Sequence, residues 1–114
     1  MLECMIIGDS IAVGTANVRK ECVSYSIGGY NTWQWNRKFA DKDLTAQSVI
    51  ISLGTNDHSG VHTFKELLAM RQRVKASRVY WILPPCNSKF CKPNVNEIVE
   101  IISRNSGDTI IKTE

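Results

Sequence analysis

Short apolar runs alternate with helix-like segments along the chain, and this alternation predicts its secondary structure. Five runs are short and mostly apolar, which is typical of strands buried on both faces of a parallel sheet. Four segments between them are helix-like, and the last two carry apolar residues at clear helical spacing. The predicted strands are Glu3–Ile7, Cys22–Ile27, Gln47–Leu53, Arg78–Leu83 and Thr109–Lys112, and the predicted helices are Ile11–Lys20, Asn31–Phe39, Thr63–Lys75 and Asn94–Arg104.

Strands that alternate with helices indicate an α/β fold built from βαβ units. The sequence therefore predicts a three-layer α/β/α architecture with a five-stranded, parallel, flavodoxin-like sheet. A chain of 114 residues suits one domain, residues 1–114. The sequence ends directly after the fifth predicted strand, so we expect the helix that usually covers this strand to be missing. An exposed apolar strip on the fifth strand would then favour self-association.

Composition, net charge and the length of the apolar runs indicate which kinds of partner and which cellular compartment to expect. Hydrophobic residues make up 43% of the chain and charged residues 22%, as in ordinary globular domains. The net charge of +3 is too weak to indicate a nucleic-acid partner. No apolar run approaches the ~18 residues that a membrane span needs, and no signal peptide precedes the first strand. The sequence thus predicts a cytoplasmic protein with neither a nucleic-acid nor a membrane partner.

The four cysteines bear on redox chemistry and on metal binding. In a reducing compartment we expect free thiols, and Cys4 and Cys22 lie in apolar runs where a thiol behaves as a small hydrophobic group. Cys86 and Cys91 flank a short loop and are close enough in sequence to form a bridge. A zinc site would need a closely spaced pair and further ligands, and the two histidines lie elsewhere. No metal site and no cofactor are predicted.

Small and polar residues follow each of the first four predicted strands. Because the carboxyl ends of parallel strands meet at one edge of the sheet, and α/β folds bind ligands there, these residues mark a candidate site. Three of the four groups contain glycine, which lets a backbone approach a ligand closely. The groups are Gly8-Asp9-Ser10, Gly28-Gly29-Tyr30-Asn31, Gly54-Thr55-Asn56-Asp57 and Pro84-Pro85-Cys86-Asn87.

Ser10 has two interpretations, since it lies where a strand ends and a helix begins. Its hydroxyl can cap the helix, or it can attack a carbonyl carbon. Acyl transfer also needs donors aimed at the oxyanion. The backbone N–H of Ser10, a glycine N–H after the second strand, and the side-chain amide of Asn56 are the candidates. Asp9 and Asp57 are expected to hold these loops by accepting backbone hydrogen bonds.

Three of these blocks, in order and spacing, resemble the first three blocks of the SGNH (GDSL-type) hydrolases. They are Gly8-Asp9-Ser10, Gly29 within Ile27-Gly28-Gly29-Tyr30-Asn31-Thr32, and Gly54-Thr55-Asn56-Asp57. The resemblance spans nearly the whole chain and implies an α/β/α esterase, lipase, thioesterase or carbohydrate deacetylase. It also implies Ser10 as nucleophile and Gly29 with Asn56 as the oxyanion hole, Gly28 being the alternative to Gly29. The implied substrate is a small-molecule ester or an acylated carbohydrate, without a cofactor.

One block of that family is missing, because the sequence contains no Asp-x-x-His. In the family this block lies near the C-terminus and supplies the histidine that accepts the proton of the nucleophile. Three explanations stay open. The chain lacks the residues that carry the block, or it is a non-catalytic relative that keeps the cleft, or another histidine substitutes. His58 and His62 follow the third strand, although solvated loop positions are the simpler interpretation for both.

Three functions follow from this reading of the chain. The first is hydrolysis of carboxylic esters through an acyl-serine intermediate, and the second is a ligand-binding or structural module of the same fold. The third, an anion or nucleotide binder, would use the Gly8–Ser10 loop at a helix N-terminus. Tyr30, Trp33 and Trp35 are expected either to pack the second helix or to line the cleft for a sugar or acyl group.

Overall fold

The structure of the protein is a computed structural model, which describes residues 2–83 and 93–112. Strands and helices alternate throughout these residues, as the apolar pattern predicts. The strands are β1 (Leu2–Gly8), β2 (Val23–Ser26), β3 (Ala46–Ser52), β4 (Arg78–Leu83) and β5 (Thr109–Lys112), and the helices are α1 (Ser10–Val18), α2 (Thr32–Lys38), α3 (Thr63–Arg73) and α4 (Pro93–Ser106).

The five strands form one parallel sheet in the order β2-β1-β3-β4-β5. This is the flavodoxin-like order, so the predicted fold class is confirmed. The largest differences from the predicted boundaries lie at helix ends. Helix α3 ends at Arg73 rather than Lys75, because Val74 adopts an extended conformation. Lys75 then forms a parallel bridge with Thr45, immediately before β3.

Helices cover the two faces of the sheet unequally. Helix α1 packs on β1, β2 and β3, whereas α2 and α3 contact each other, α3 contacts α4, and α4 lies on β4 and β5. The main core fills the space between the sheet and the second group of helices. Its fully buried members include Met5, Ile7, Trp35, Ile51 and Trp81. Trp35 and Trp81 therefore have the packing role expected of core aromatics.

The α1 face of the sheet is the less covered one. In the part of the chain that the structure describes, α1 is the only helix on it, and β5 is followed by none. Strand register aligns Ile50 with Tyr80, and Ile82 with Ile111, on this face. Ile111 is 40% exposed. The expected exposure of apolar surface on β5 is thus confirmed at this residue.

The expectation that Cys4 and Cys22 are free thiols is wrong in this structure, because the two form a disulfide. Sheet register explains the pairing. Met5 of β1 aligns with Val23 of β2, so the residues just before them lie side by side, with 4.8 Å between their Cα atoms. The sequence pattern identifies two separate apolar runs but not the register between them. Cys86 and Cys91 lie outside the described residues.

Buried and half-buried polar contacts join the helices of the main core. Glu66 of α3 accepts hydrogen bonds from Asn36 Nδ2 at 2.7 Å and from Arg37 at 2.9 Å, both on α2. Burial works to raise the pKa of Glu66, but these two donors and the charge of Arg37 outweigh it, and the pKa lies below its usual value. Glu66 therefore stabilises the α2–α3 contact in its ionised form.

A second contact ties α3 to the turn before β5. Asp108 receives two hydrogen bonds from Arg71, at 2.7 and 2.8 Å, and a third at 2.8 Å from the indole nitrogen of Trp81. The side chains are 16% and 3% exposed for Arg71 and Asp108 respectively. A bidentate pair shielded in this way fixes the orientation of both partners.

No helix in the described part of the chain combines the length and apolar character needed to cross a bilayer.

Replacing Arg71 by Met should lower the free energy of unfolding by about 3 kcal/mol, because the carboxylate of Asp108 stays buried without its cation. Methionine retains most of the apolar stem, so the loss reports the missing charge. Urea denaturation followed by circular dichroism measures it. The matched control is Arg19→Ala, whose partner Glu21 lies 3.9 Å away with both side chains more than half exposed. There we expect a change within about 0.5 kcal/mol, and equal losses in the two variants would contradict the prediction.

Candidate active site

The turn from β1 into α1 is held tightly against the end of β3. The backbone N–H of Asp9 donates to the carbonyl oxygen of Ser52 at 3.0 Å. Gly8 has φ +149°, and a Cβ at this residue would lie 1.8 Å from the same Ser52 oxygen. No side chain fits there. The turn that carries Ser10 is therefore set by backbone contact between two adjacent strands.

Asp9, and not Ser10, caps α1. Oδ1 of Asp9 accepts a hydrogen bond from the backbone N–H of Ile11 at 3.1 Å, and Ser10 is the first residue of the helix. The alternative in which Ser10 caps this helix is thus wrong. Ser10 is exposed, and its hydroxyl makes no hydrogen bond to any other residue among 2–83 and 93–112. Within the part of the chain that the structure describes, its side chain therefore does not cap or bond a neighbouring element.

The loop after β2 lies beside Ser10. A Cβ at Gly28 would lie 3.6 Å from the Cβ of Ser10, so the two residues are in van der Waals contact range. A Cβ at Gly29 would meet no atom of the described residues within 4 Å. Of the two glycines that the sequence offers, Gly28 adjoins the serine and Gly29 borders open space. Both are exposed, so their backbones are accessible to a ligand.

The loop after β3 is bonded to the loop after β2 at two points. Nδ2 of Asn56 donates to the carbonyl oxygen of Tyr30 at 3.0 Å. Asp57 is 3% exposed and receives the backbone N–H of Thr32 at 2.8 Å, with the Thr32 hydroxyl at 2.7 Å. The hydroxyl of Thr63 also donates to Asp57, at 2.7 Å. Asp57 therefore joins its own loop to the first turns of α2 and α3.

Gly54 places this third loop under α4. A Cβ at Gly54 would lie 2.7 Å from Cγ1 of Val95, so the loop is in direct contact with the helix. The backbone N–H of Asp57 donates to the carbonyl oxygen of Gly54 at 3.0 Å and closes the turn between them. Asn56 lies inside this closed turn. Its position is consequently tied to the packing of α4 on the sheet.

Asp9 is a buried carboxyl group beneath the candidate site. It is 0% exposed, and its Oδ2 has no hydrogen-bond partner among the described residues. Burial raises the pKa of Asp9 to about 6, although the backbone N–H groups of Ile11, Asp9 and Thr55 lower it; the negative charge of Asp57 adds to the increase. The charge of Asp9 thus changes in the mildly acidic range, within one residue of Ser10.

The two histidines are exposed residues of the loop that follows β3. Nδ1 of His58 accepts the backbone N–H of Gly60 at 3.1 Å. The Nδ1 lone pair of His58 is therefore engaged within its own loop. His62 precedes α3 and makes no capping bond with its side chain. Within residues 2–83 and 93–112, neither ring is hydrogen-bonded to Ser10.

The aromatic residues after β2 divide between the core and the surface. Trp35 is fully buried and donates its indole N–H to the carbonyl oxygen of Tyr25 at 2.8 Å, which packs α2 on the sheet. Trp33 is 51% exposed, and the guanidinium of Arg37 lies 4.6 Å from its ring centroid. Packing therefore accounts for Trp35, whereas Trp33 presents aromatic surface in the first turn of α2.

Sequence reasoning missed the two threonines that bind Asp57. Thr32 and Thr63 each open a helix, at the first residue of α2 and of α3. A threonine at a helix start is a common local feature, and the sequence does not show that both hydroxyls point to one carboxylate. The fourth predicted group, Pro84 to Asn87, lies outside the described residues.

Replacing Asp9 by Asn should change how stability depends on pH. In the folded chain the pKa of Asp9 is about 6 against an ordinary 3.8. The folded state thus holds this proton more tightly than the unfolded chain, and the resulting stabilisation is lost as pH rises from about 4 to about 6. Asparagine retains the acceptor for Ile11 without a charge. We expect the variant to gain stability relative to the wild type across this interval and to keep that gain at pH 8.

Urea denaturation at pH 4, 5, 6 and 8 measures the difference in free energy of unfolding between Asp9→Asn and the wild type. Asp9→Ala is the control, because it removes the charge and the cap together; it should follow the pH dependence of Asp9→Asn but lie about 1 kcal/mol lower in stability at every pH, the usual value of a cap. A stability difference between Asp9→Asn and the wild type that does not vary with pH would count against a raised pKa for this group.

None of the known protein families that were compared through family models matches this sequence, and no curated protein matches it either.

Proposed function

We propose that this chain is a serine hydrolase of the SGNH (GDSL-type) family that acts on carboxylic esters through an acyl-serine intermediate on Ser10. The observation that supports this proposal best is the state of Ser10. An exposed serine begins a helix whose cap is the preceding aspartate, so its hydroxyl is available for chemistry. It also follows β1, beside β3, where the direction of the strand order reverses and α/β folds bind ligands.

In the proposed reaction, Ser10 Oγ attacks the ester carbonyl and the negative charge develops on the carbonyl oxygen. The donors proposed for that oxygen are the backbone N–H of Ser10, a backbone N–H of Gly28 or Gly29, and Nδ2 of Asn56. Each donor in such a site is worth roughly 3 kcal/mol of the barrier. The N–H groups at the start of α1 add a favourable field for the developing charge. The alcohol leaves, and water then releases the acid from Ser10.

The contacts of Asn56 and Asp57 support this arrangement of donors. A carboxamide carries two hydrogens, and Asn56 uses one of them on Tyr30, which leaves the other for a ligand. Asp57 ties the same loop to α2 and α3 through hydroxyl and amide donors. Donors held in this way do not need to reorganise when the oxyanion forms, and such preorganisation is the source of their effect.

The proposed reaction also needs a group that accepts the proton of Ser10. A serine hydroxyl is a poor nucleophile at neutral pH unless a base accepts its proton. His58 is the candidate substitute, but its Nδ1 already accepts the backbone N–H of Gly60, and among the described residues its ring is not hydrogen-bonded to Ser10. This observation favours the second candidate function, a relative of the same fold that binds an ester ligand in the cleft and does not turn it over.

The proposed ligand is a small-molecule ester or an O-acylated carbohydrate. Trp33, exposed in the first turn of α2, supports the carbohydrate class because aromatic faces bind the apolar face of a sugar ring. Self-association through the strip around Ile111 is a further proposal. We propose the cytoplasm as the compartment.

Replacement of Ser10 by Ala should abolish covalent labelling by a fluorophosphonate probe and reduce hydrolysis of p-nitrophenyl acetate to the level of buffer. The matched control is Ser106→Ala, an exposed serine at the end of α4, which should leave both signals unchanged. Absence of labelling in the folded wild-type chain would overturn the hydrolase proposal and favour the binding module. Near-ultraviolet circular dichroism of each variant verifies the fold.

Added imidazole can act as the proton acceptor, so it distinguishes a chain that lacks only the base from a chain that lacks the oxyanion site. If Ser10 has its oxyanion donors but lacks a base, imidazole should accelerate labelling of the wild-type chain, and labelling of Ser10→Ala should stay absent. The rate should rise with the concentration of neutral imidazole and so with pH near 7. Asn56→Ala should slow the rescued labelling by roughly 10²-fold or more, the usual effect of removing one oxyanion donor. A rescued rate that is insensitive to Asn56→Ala would remove Asn56 from the site.

A further inference from the structure

The Cys4–Cys22 pair lies next to a carboxylate at the edge of the sheet opposite Ser10. Cys4 is near the start of β1 and Cys22 directly precedes β2, whereas Ser10 follows the end of β1. The two Sγ atoms and a carboxylate oxygen of Glu21 lie within 4.8 Å of one another. Among the described residues, this is the group of three metal-ligating side chains whose ligand atoms lie this close together.

The sheet, and not the disulfide alone, keeps the two sulfur atoms close. Strands β1 and β2 pair in register from Met5 with Val23 to Gly8 with Ser26, so the residues before Met5 and Val23 are held side by side by backbone pairing that does not involve the disulfide. Reduction needs only small side-chain rotations to separate the sulfur atoms to the spacing of two ligands on one ion. The site is therefore preorganised by backbone pairing of a central strand with its neighbour.

The surroundings of the two cysteines leave room for an ion, and Glu21, the third candidate ligand, is held only by a weak ion pair. A depression of about 350 Å³ borders Cys4, Cys22 and Glu21, and Glu3 and Arg19 also line it. The ion pair between Arg19 and Glu21 spans 3.9 Å with both side chains more than half exposed. Pairs of that kind contribute less than about 1 kcal/mol. Glu21 can leave Arg19 for a metal ion at little cost, and both cysteines are half-buried and not sealed in the core.

We propose that the dithiol form of this chain binds a single Zn²⁺ ion through Sγ of Cys4, Sγ of Cys22 and the carboxylate of Glu21, and that disulfide formation closes the site. Thiolate and carboxylate are established ligands of zinc, at about 2.3 Å and about 2.0–2.2 Å. Three protein ligands leave a fourth position for water or for Glu3, which lines the same depression. The site lies apart from Ser10 and does not depend on the proposed hydrolase activity.

The redox step balances with a dithiol as the reductant. The S–S bond between Cys4 and Cys22 breaks, the dithiol closes its own disulfide, and two electrons and two protons pass to the protein sulfur atoms. Binding of Zn²⁺ then releases the two thiol protons, because zinc binds thiolates. A disulfide such as oxidised glutathione reverses the sequence, since it re-forms the bond between the cysteines and is itself reduced to two thiols.

The test uses Co²⁺ as a spectroscopic substitute for Zn²⁺ in the full chain carrying Cys86→Ser and Cys91→Ser, so that only the proposed thiols contribute. The protein is reduced with a dithiol, separated from it without oxygen, and titrated. We expect sulfur-to-cobalt charge-transfer absorption that saturates at one Co²⁺ per chain and disappears when Zn²⁺ is added. The disulfide form should give no such absorption, and oxidised glutathione should release the bound ion to a chromogenic chelator.

Three variants identify the ligands. Cys22→Ser should abolish the charge-transfer band, and so should Cys4→Ser, with circular dichroism confirming that each is folded. Glu21→Gln should weaken binding at least about tenfold. Removing a residue that only hydrogen-bonds to a metal ligand already costs that much affinity. Glu97→Gln, an exposed glutamate on α4, is the matched control and should bind as the parent does. A reduced parent chain without the band, or one whose affinity is unchanged by Glu21→Gln, overturns the proposal.

Discussion

The carboxylate of Asp57 is the interaction on which the candidate site depends. It is almost fully buried and accepts hydrogen bonds from a backbone amide and two hydroxyl groups, all at 2.7 or 2.8 Å. These donors belong to the first turns of α2 and α3, which connect different pairs of strands. A buried carboxylate must keep such donors, since water cannot replace them. One buried carboxyl group therefore joins the loops that follow β2 and β3 beside Ser10.

Asp9 and Asp57 are both buried carboxyl groups, but they differ in how completely their oxygens are hydrogen-bonded. Asp57 has hydrogen bonds on both of its oxygens, whereas Asp9 is satisfied at one and has a raised pKa. Asp9 caps α1 at the cost of burying a charge next to another acid. This arrangement leaves Ser10 outside the network, exposed at the first helical residue. Aspartate is as favourable an N-cap as serine, so the cap of α1 does not require the hydroxyl of Ser10.

The elements and their order were predictable from the sequence, because each strand is a short apolar run and α3 and α4 repeat apolar residues at helical spacing. Boundaries moved where a long-range contact decided them, as at Val74 and Lys75, where pairing with Thr45 ends α3. The Cys4–Cys22 disulfide escaped prediction for the same reason, since it depends on the register of β1 against β2. Two clustered blocks, around Ser10 and Asn56, were visible in sequence because each follows a strand, but the shared carboxylate beneath Thr32 and Thr63 was not.

Gly8 and Ser10 are two positions apart, but diverged copies of this chain would keep them for different reasons. A side chain at Gly8 would collide with the backbone of β3, so every folded descendant of this chain must keep glycine there, whatever it does. Ser10 is exposed and does not cap its helix, and its hydroxyl makes no hydrogen bond among the described residues, so the fold as described sets little constraint on this side chain. If diverged copies keep a serine at position 10, selection on chemistry is the remaining cause, and the neighbouring glycine supplies the baseline for judging it.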